Sequence, residues 1–200
     1  MQALLFDLND VSFRFDATVR WQGFATLCNL PPAEIRRRLQ DSGFSQACDS
    51  GRLRGERALR ECGRLLSTRL SMERFRDIWV SAFTPDPDVL ELVKAAKQRI
   101  AVGLLTNNSD IVREGLEIHF PAQIALFGPR LFSADIGILK PDPRSYACAL
   151  DLLELPAQAC LLVDAAPQST DTAAALGFAV HCYRNPGSLR QTLVEAGLLD

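Results

Sequence analysis

The apolar residues of this chain follow two spacings. Short unbroken runs occur at Ala3–Phe6, Ile100–Leu105, Ile124–Phe127, Cys160–Val163 and Phe178–Cys182. Runs of this length, bounded by turn residues, predict strands buried on both faces. Between them the spacing becomes helical. Pro87–Arg99 places Val89, Leu90, Leu92, Val93 and Ala96 on one face, and Pro143–Leu153 does so with Tyr146, Ala149, Leu150 and Leu153. A further helix is expected from about Thr170 to Gly177, with Ser169 as its N-cap. Strand–helix alternation of this kind predicts a parallel sheet covered on both sides.

The stretch after the first strand reads differently. Between Asp16 and Phe83 there is no strand-like run, and helical patterns cover Val19–Cys28, Pro32–Leu39, Arg57–Leu66 and Met72–Phe83. Pro31-Pro32 and Gly51–Gly55 separate them. The expected fold class is therefore α/β. A Rossmann-like core, residues 1–15 and 84–200, is interrupted after its first strand by an α-helical cap, residues 16–83. Pro85-Asp86-Pro87 marks the return. In open α/β sheets ligands bind beyond the carboxyl ends of the strands. Asp7, Thr106 and Asp164 each lie at the end of an apolar run, so one pocket could collect all three.

Charge sharpens this picture. The net charge of −2 argues against a dedicated nucleic-acid binder. It is unevenly spread: residues 13–80 carry 13 Arg against 8 Asp and Glu. A basic insert suits a small anionic substrate, although Arg36-Arg37-Arg38 reads as a solvated helix face. No run approaches the ~18 apolar residues of a membrane span, and the opening residues lack the basic start of a signal peptide. The six cysteines form no CxxC pair, which suits a reducing cytoplasm. His119 and His181 have no metal-ligand partner at useful spacing. Trp21 and Trp79 sit at helical positions and read as packing residues.

Four segments in order carry a resemblance. Leu4-Leu5-Phe6-Asp7-Leu8-Asn9-Asp10-Val11 resembles the first motif of the haloacid dehalogenase-like superfamily, apolar residues followed by Asp-x-Asp. Leu104-Leu105-Thr106-Asn107 is similar to the second, and Gly137-Ile138-Leu139-Lys140-Pro141 to the third. Cys160-Leu161-Leu162-Val163-Asp164 with Ala173–Gly177 resembles the fourth. The resemblance spans nearly the whole chain, and the opening motif is similar to that of an α-D-glucose-1-phosphate phosphatase-like branch.

The resemblance implies a phosphatase acting through an aspartyl phosphate, with Asp7 as nucleophile. Covalent catalysis of this kind divides one difficult displacement into two easier ones. Thr106 and the backbone N–H of Asn107 would bind phosphoryl oxygens. Lys140 would neutralise charge on Asp7 and on the phosphoryl group; it is one of only 3 Lys beside 19 Arg. Asp7, Asp164 and the carbonyl of Asn9 would hold Mg²⁺, which takes a few carboxylates together with phosphate oxygens and water. The expected partner is a small phosphorylated metabolite, with neither nucleic acid nor membrane involved.

Two positions depart from the pattern. The family's acid/base Asp is Asn9 here, and an amide can neither give nor take the proton; losing general acid/base help costs ~10²–10⁴-fold in rate. Asp10 carries a carboxylate, but adjacent residues normally point in different directions. Ala165 stands where a second acidic residue is usual, and Asp171 is expected on the outer face of its helix. An inactive pseudophosphatase binding a phosphorylated ligand or a protein is thus the alternative, and a 2-haloacid dehalogenase the third reading. Asp49-Ser50-Gly51-Arg52 in the insert is either a loop that dips toward substrate or an ordinary interhelical turn.

Overall fold

The computed structural model describes residues 1–200. Its strands are β1 (Ala3–Phe6), β2 (Phe13–Phe15), β3 (Phe83–Pro85), β4 (Ala101–Thr106), β5 (Arg130–Phe132), β6 (Cys160–Asp164) and β7 (Ala179–Cys182). Between β2 and β3 lie α1 (Ala17–Cys28), α2 (Pro32–Arg36), α3 (Phe44–Asp49), α4 (Gly55–Leu66) and α5 (Met72–Val80), with a π-helical turn at Arg37–Asp41. After β3 come α6 (Pro87–Ala96), α7 (Asp110–His119), α8 (Pro121–Ile124), α9 (Ser133–Ile136), α10 (Pro143–Leu153), α11 (Pro167–Ala175) and α12 (Pro186–Glu195). No helix is long and apolar enough to cross a membrane.

Five strands form one parallel sheet in the order β5-β4-β1-β6-β7. The side chains of β1 alternate across it, as the period of two requires. Leu4 and Phe6 join a large apolar cluster that continues through the inserted helices, whereas Ala3 and Leu5 join a smaller one with Tyr146, Leu162 and Phe178. Burial on both faces explains why this strand reads as an unbroken apolar run. Register then sets the site: Phe6 pairs with Leu104 on one side and Val163 on the other, so Asp7 emerges level with the ends of β4 and β6.

Local chemistry fixes where helices begin. Asp86, Asp142 and Asn185 each cap a helix whose first residue is proline, accepting backbone N–H groups of the first turn. Proline loses nothing there, because that N–H has no intrahelical partner. The first half of the chain leaves the sheet and returns to it through an antiparallel ribbon, β2 against β3, in which Phe13 faces Pro85 and Phe15 faces Phe83. Arg14 clamps this ribbon by donating Nε to Asp86 at 3.0 Å.

Three expectations need correction. Ile124–Phe127 is not a strand: Pro121 starts the short helix α8, and the Phe127 N–H closes a turn onto the Ile124 carbonyl at 3.1 Å. Ile124 and Phe127 are both buried, since a spacing of three serves a helical turn as well as it serves a strand. The edge strand beside β4 is instead β5, only three residues long. Ser169 is not an N-cap; α11 begins at Pro167, and Ser169 lies buried inside it with its carbonyl receiving the Tyr146 hydroxyl at 2.9 Å. The helix expected over Met72–Phe83 ends at Val80, and Phe83 belongs to the ribbon.

Candidate active site

Asp7, Thr106, Lys140 and Asp164 meet at the carboxyl end of the sheet. The Asp7 N–H extends the β1–β6 ladder by donating to the Val163 carbonyl at 2.8 Å, and the Ser12 hydroxyl holds the Asp7 carbonyl at 2.8 Å. The chain then turns sharply: Asp10 adopts φ 55, and its N–H reaches the Phe13 carbonyl at 2.7 Å. Its carboxylate accepts the Phe15 N–H at 3.0 Å, so it serves the ribbon and does not line the cavity described below.

Lys140 is the electrostatic centre. Its Nζ lies 2.6 Å from Asp164 Oδ2 and 3.1 Å from Asp7 Oδ1. Asp164 spends its other oxygen on the Ala166 N–H at 2.8 Å. Burial alone would pull the Lys140 ammonium toward neutrality, but the two carboxylates outweigh it and raise its pKa. The Asp7 carboxyl is pushed up, chiefly by burial and further by the charge of Asp164; Lys140 and the Thr106 hydroxyl pull the other way. Two carboxylates share one ammonium, and the buried Asp7 Oδ1 has the longer of the two contacts with it.

Two asparagines directly after β4 organise the rest. Asn108 Nδ2 donates both to Asn9 Oδ1 at 2.7 Å and to the Thr106 hydroxyl at 2.8 Å, joining the first two strand ends. The Asn107 side chain makes two bonds of 2.8 Å to the backbone of Lys140. Beside the backbone N–H expected to serve the phosphoryl group, Asn107 thus has a carboxamide that holds the lysine in place. Among the other residues singled out in the sequence, Asp171 is exposed as expected. His119 bonds Asp77 and His181 bonds Thr192, neither near the site's carboxylates.

Above the strand ends lies a cavity of about 530 Å³ with a mainly polar wall. Asn9, Asn107 and Asn108 form part of its sheet side, while Arg20, Asp49 and Trp79 come from the inserted helices. Arg20 is 5% exposed and donates Nε to the Trp79 carbonyl at 2.8 Å. Its guanidinium stands 4.2 Å over the Trp79 ring and 5.2 Å from that of Phe15. Burial lowers its pKa to about 10, leaving it a cation at neutral pH. Burial pushes the Asp49 carboxyl up to about 7, against the pull of Arg20 and of the Ser109 N–H.

The segment that carries Asp49 is pinned to the sheet side. The Ser133 hydroxyl donates to the Asp49 carbonyl at 2.6 Å, and Arg54 reaches the Ala134 carbonyl at 2.7 Å and Asp135 at 2.6 Å. Gly51, at φ +73, lies so close that a Cβ there would sit 2.4 Å from the Ala134 carbonyl oxygen. The segment is thus both an interhelical turn and a wall of the cavity. Sequence reasoning missed Arg20, one of 19 Arg, although its place between Val19 and Trp21 on an apolar helical pattern was a signal. It missed Asn108 as well, for which the Thr-Asn-Asn triplet was the only sign.

No protein-family model matches the chain. It is 27% identical over 204 residues to Phosphatase MT3486 of Mycobacterium tuberculosis, covering 98% of this chain and 93% of that one. Among solved structures it is similar to a HAD family enzyme of Bacteroides thetaiotaomicron in complex with magnesium and inorganic phosphate. That match has a TM-score of 0.81 and 17% identity, and covers 92% and 94% of the two chains. L-2-haloacid dehalogenase from Xanthobacter autotrophicus, with chloropropionic acid covalently bound, matches at a TM-score of 0.63 and 16% identity, over 100% and 85% of the chains.

Proposed function

This chain has the fold of the haloacid dehalogenase-like superfamily, and from that premise we propose that it is a phosphoric monoester hydrolase of small phosphorylated metabolites. One observation carries the reading: Asp7, at the end of the central strand, keeps a buried oxygen whose near partner is the Lys140 ammonium, 3.1 Å away. That oxygen attacks phosphorus, the bond to the leaving oxygen breaks, and an aspartyl phosphate forms. Water then attacks the same phosphorus, releasing inorganic phosphate and restoring Asp7. Thr106 and Lys140 stabilise the phosphoryl oxygens as their charge grows. The helices from residue 16 to 83 act as the cap over this reaction. Six unpaired cysteines suit a reducing cytoplasm.

The donor set fits Mg²⁺ of modest affinity. With Oδ1 as the nucleophile, the other Asp7 carboxylate oxygen, Asp164 and the Asn9 carbonyl are hard oxygen donors, and no cluster of three His, Cys, Asp or Glu side chains surrounds them. Such a site leaves coordination positions to phosphate oxygens and water, as Mg²⁺ prefers. The ion would supply charge neutralisation between the anionic substrate and the anionic nucleophile.

Asn9 favours a second reading. Its amide oxygen is occupied by Asn108, and as an amide it exchanges no protons, as in a pseudophosphatase that binds a phosphorylated ligand without turnover. Hydrolysis of p-nitrophenyl phosphate with and without Mg²⁺, using Asp7→Asn as control, separates the two. Turnover that needs both Mg²⁺ and Asp7 is expected. Equal rates for folded wild type and control would sink the phosphatase reading in favour of binding alone. Chloride release from 2-chloropropionate would instead identify a dehalogenase.

A further inference from the structure

Resting on the phosphatase reading, we propose that Asp49 exchanges protons with the leaving oxygen and with the attacking water, the work that the carboxamide of Asn9 cannot do. Three observations place it there. Asp49 shares the cavity wall with Asn9, Asn107 and Asn108, the residues that border Asp7 and Thr106. Asp10, adjacent to Asn9 in the chain, is turned to the ribbon and takes no part in that wall. The segment after α3 is fastened to the strand-end side by Ser133 and Arg54, with Gly51 packed on Ala134, so Asp49 keeps its position relative to the sheet.

The step balances. With the phosphoryl group at Asp7 and the organic group in the cavity, the P–O bond breaks and its electron pair goes to the leaving oxygen. The Asp49 carboxyl gives that oxygen its proton, and the alcohol departs. In the second half-reaction the Asp49 carboxylate takes a proton from the water that attacks the aspartyl phosphate. Asp49 is then protonated again.

The surroundings suit both protonation states. Arg20, from α1, lines the same cavity, and its charge favours the carboxylate. Asp41, which precedes α3, is in the same wall but is exposed and faces Arg36 at 3.8 Å. Asp110, at the start of α7, is already engaged by the Gly55 and Ile111 N–H groups, both at 3.0 Å, and stands 3.6 Å from Arg54. Cys48, the residue before Asp49, is a buried thiol whose pKa is pushed well above its usual range by burial first, so it stays neutral. Burial, against the pull of Arg20 and the Ser109 N–H, pushes the Asp49 carboxyl up to about 7, the range in which one group both gives and takes a proton effectively.

The experiment compares Asp49→Asn with wild type on two substrates, with Mg²⁺ present. An alkyl phosphate such as glycerol phosphate needs its leaving oxygen protonated; p-nitrophenyl phosphate has a good leaving group and needs this far less. The expected loss in kcat is about 100-fold or more on the alkyl phosphate, and at least about ten times smaller on p-nitrophenyl phosphate. In the Asp49→Asn background, Asn9→Asp should restore alkyl phosphate turnover, which also shows that the variant folds. Equal losses on both substrates, or no loss on either, overturn the assignment of Asp49 while Asp7-dependent turnover upholds the phosphatase reading. Absence of any Asp7-dependent phosphate release from wild type overturns that reading and the assignment with it.

Discussion

Asn107 grips the backbone of Lys140 from both directions, its Oδ1 accepting the Lys140 N–H and its Nδ2 donating to the Lys140 carbonyl, each at 2.8 Å. Residues 33 positions apart are thereby locked together, and the ammonium that neutralises Asp7 is aimed by an amide at the end of another strand. Asn107→Ala removes both bonds and leaves a buried lysine less well directed. We expect about 1–3 kcal/mol of lost stability and a fall in kcat of about tenfold or more with KM less affected. Chemical denaturation and steady-state kinetics on one preparation check this. An unchanged kcat would show that Lys140 is aimed by something else.

Lys140→Met leaves Asp7 and Asp164 facing each other without a counter-ion. Stripping one partner from a buried ionic cluster costs about 3–5 kcal/mol, so Tm at pH 7 should fall by roughly 10 °C. The sign of the pH dependence follows. The Asp7 carboxyl is already raised by burial, and without the ammonium that pulls it down it titrates higher still in the folded chain than in the unfolded one. The fold then keeps its full stability at low pH and loses it as pH rises through the folded-state value. Thermal melts from pH 4 to 8 should show the deficit widening with pH. A deficit independent of pH would mean that packing of the lysine stem, rather than its charge, dominates.

Gly51→Ala tests the contact that pins the Asp49 segment. The added Cβ meets the Ala134 carbonyl oxygen at 2.4 Å in a backbone conformation that L-residues rarely adopt. Gly197→Ala is the control, with φ +70 and no atom within 4 Å of the new Cβ. The control should lose about 1 kcal/mol from conformation alone. Gly51→Ala should lose about 2–3 kcal/mol more, through displacement of backbone. Similar losses in the two variants would show that the segment yields without cost.

The carboxyl of Asp49 makes a prediction about stability separate from its proposed chemistry. Its folded-state pKa of about 7 exceeds its ordinary value of 3.8, so the protonated form is favoured by folding. That contribution is complete below about pH 4 and is lost as pH rises through 7. At pH 8 wild type therefore carries an ionised group in a poor environment, from which Asp49→Asn is relieved. The variant should be more stable there by on the order of 1–2 kcal/mol, allowing for solvent screening of a half-buried group. The gain should vanish near pH 4. A variant less stable than wild type at pH 8 would mean that Asp49 is held as a favourable carboxylate.

Much of this organisation was legible in the chain because its signals are local or strongly patterned. Asp7, Thr106 and Asp164 end unbroken apolar runs, and a parallel sheet brings such ends together. Lys140 stood out in a chain otherwise rich in arginine. The β2–β3 ribbon was not legible, since three residues per strand show too little alternation and its partners lie 70 residues apart. Ile124–Phe127 misled because a four-residue apolar run serves a helical turn equally well. Arg20 and Asn108 acquire meaning only through residues distant in sequence, Trp79 and Asn9 respectively. The side-chain grip of Asn107 on Lys140 is of the same long-range kind.

The chain's two tryptophans both lie in the inserted helices, with ring centroids 6.5 Å apart, and Trp79 also borders the cavity beneath the Arg20 guanidinium. Tryptophan emission shifts with the charge and hydration around the indole. This protein therefore carries its own optical reporter on the cavity wall supplied by the inserted helices. An anion drawn toward Arg20 should alter the fluorescence without any label, and the same signal during denaturation reports the unfolding of the inserted helices alone. Paired with circular dichroism, which also sees the sheet, it reveals whether the two parts of the chain come apart together.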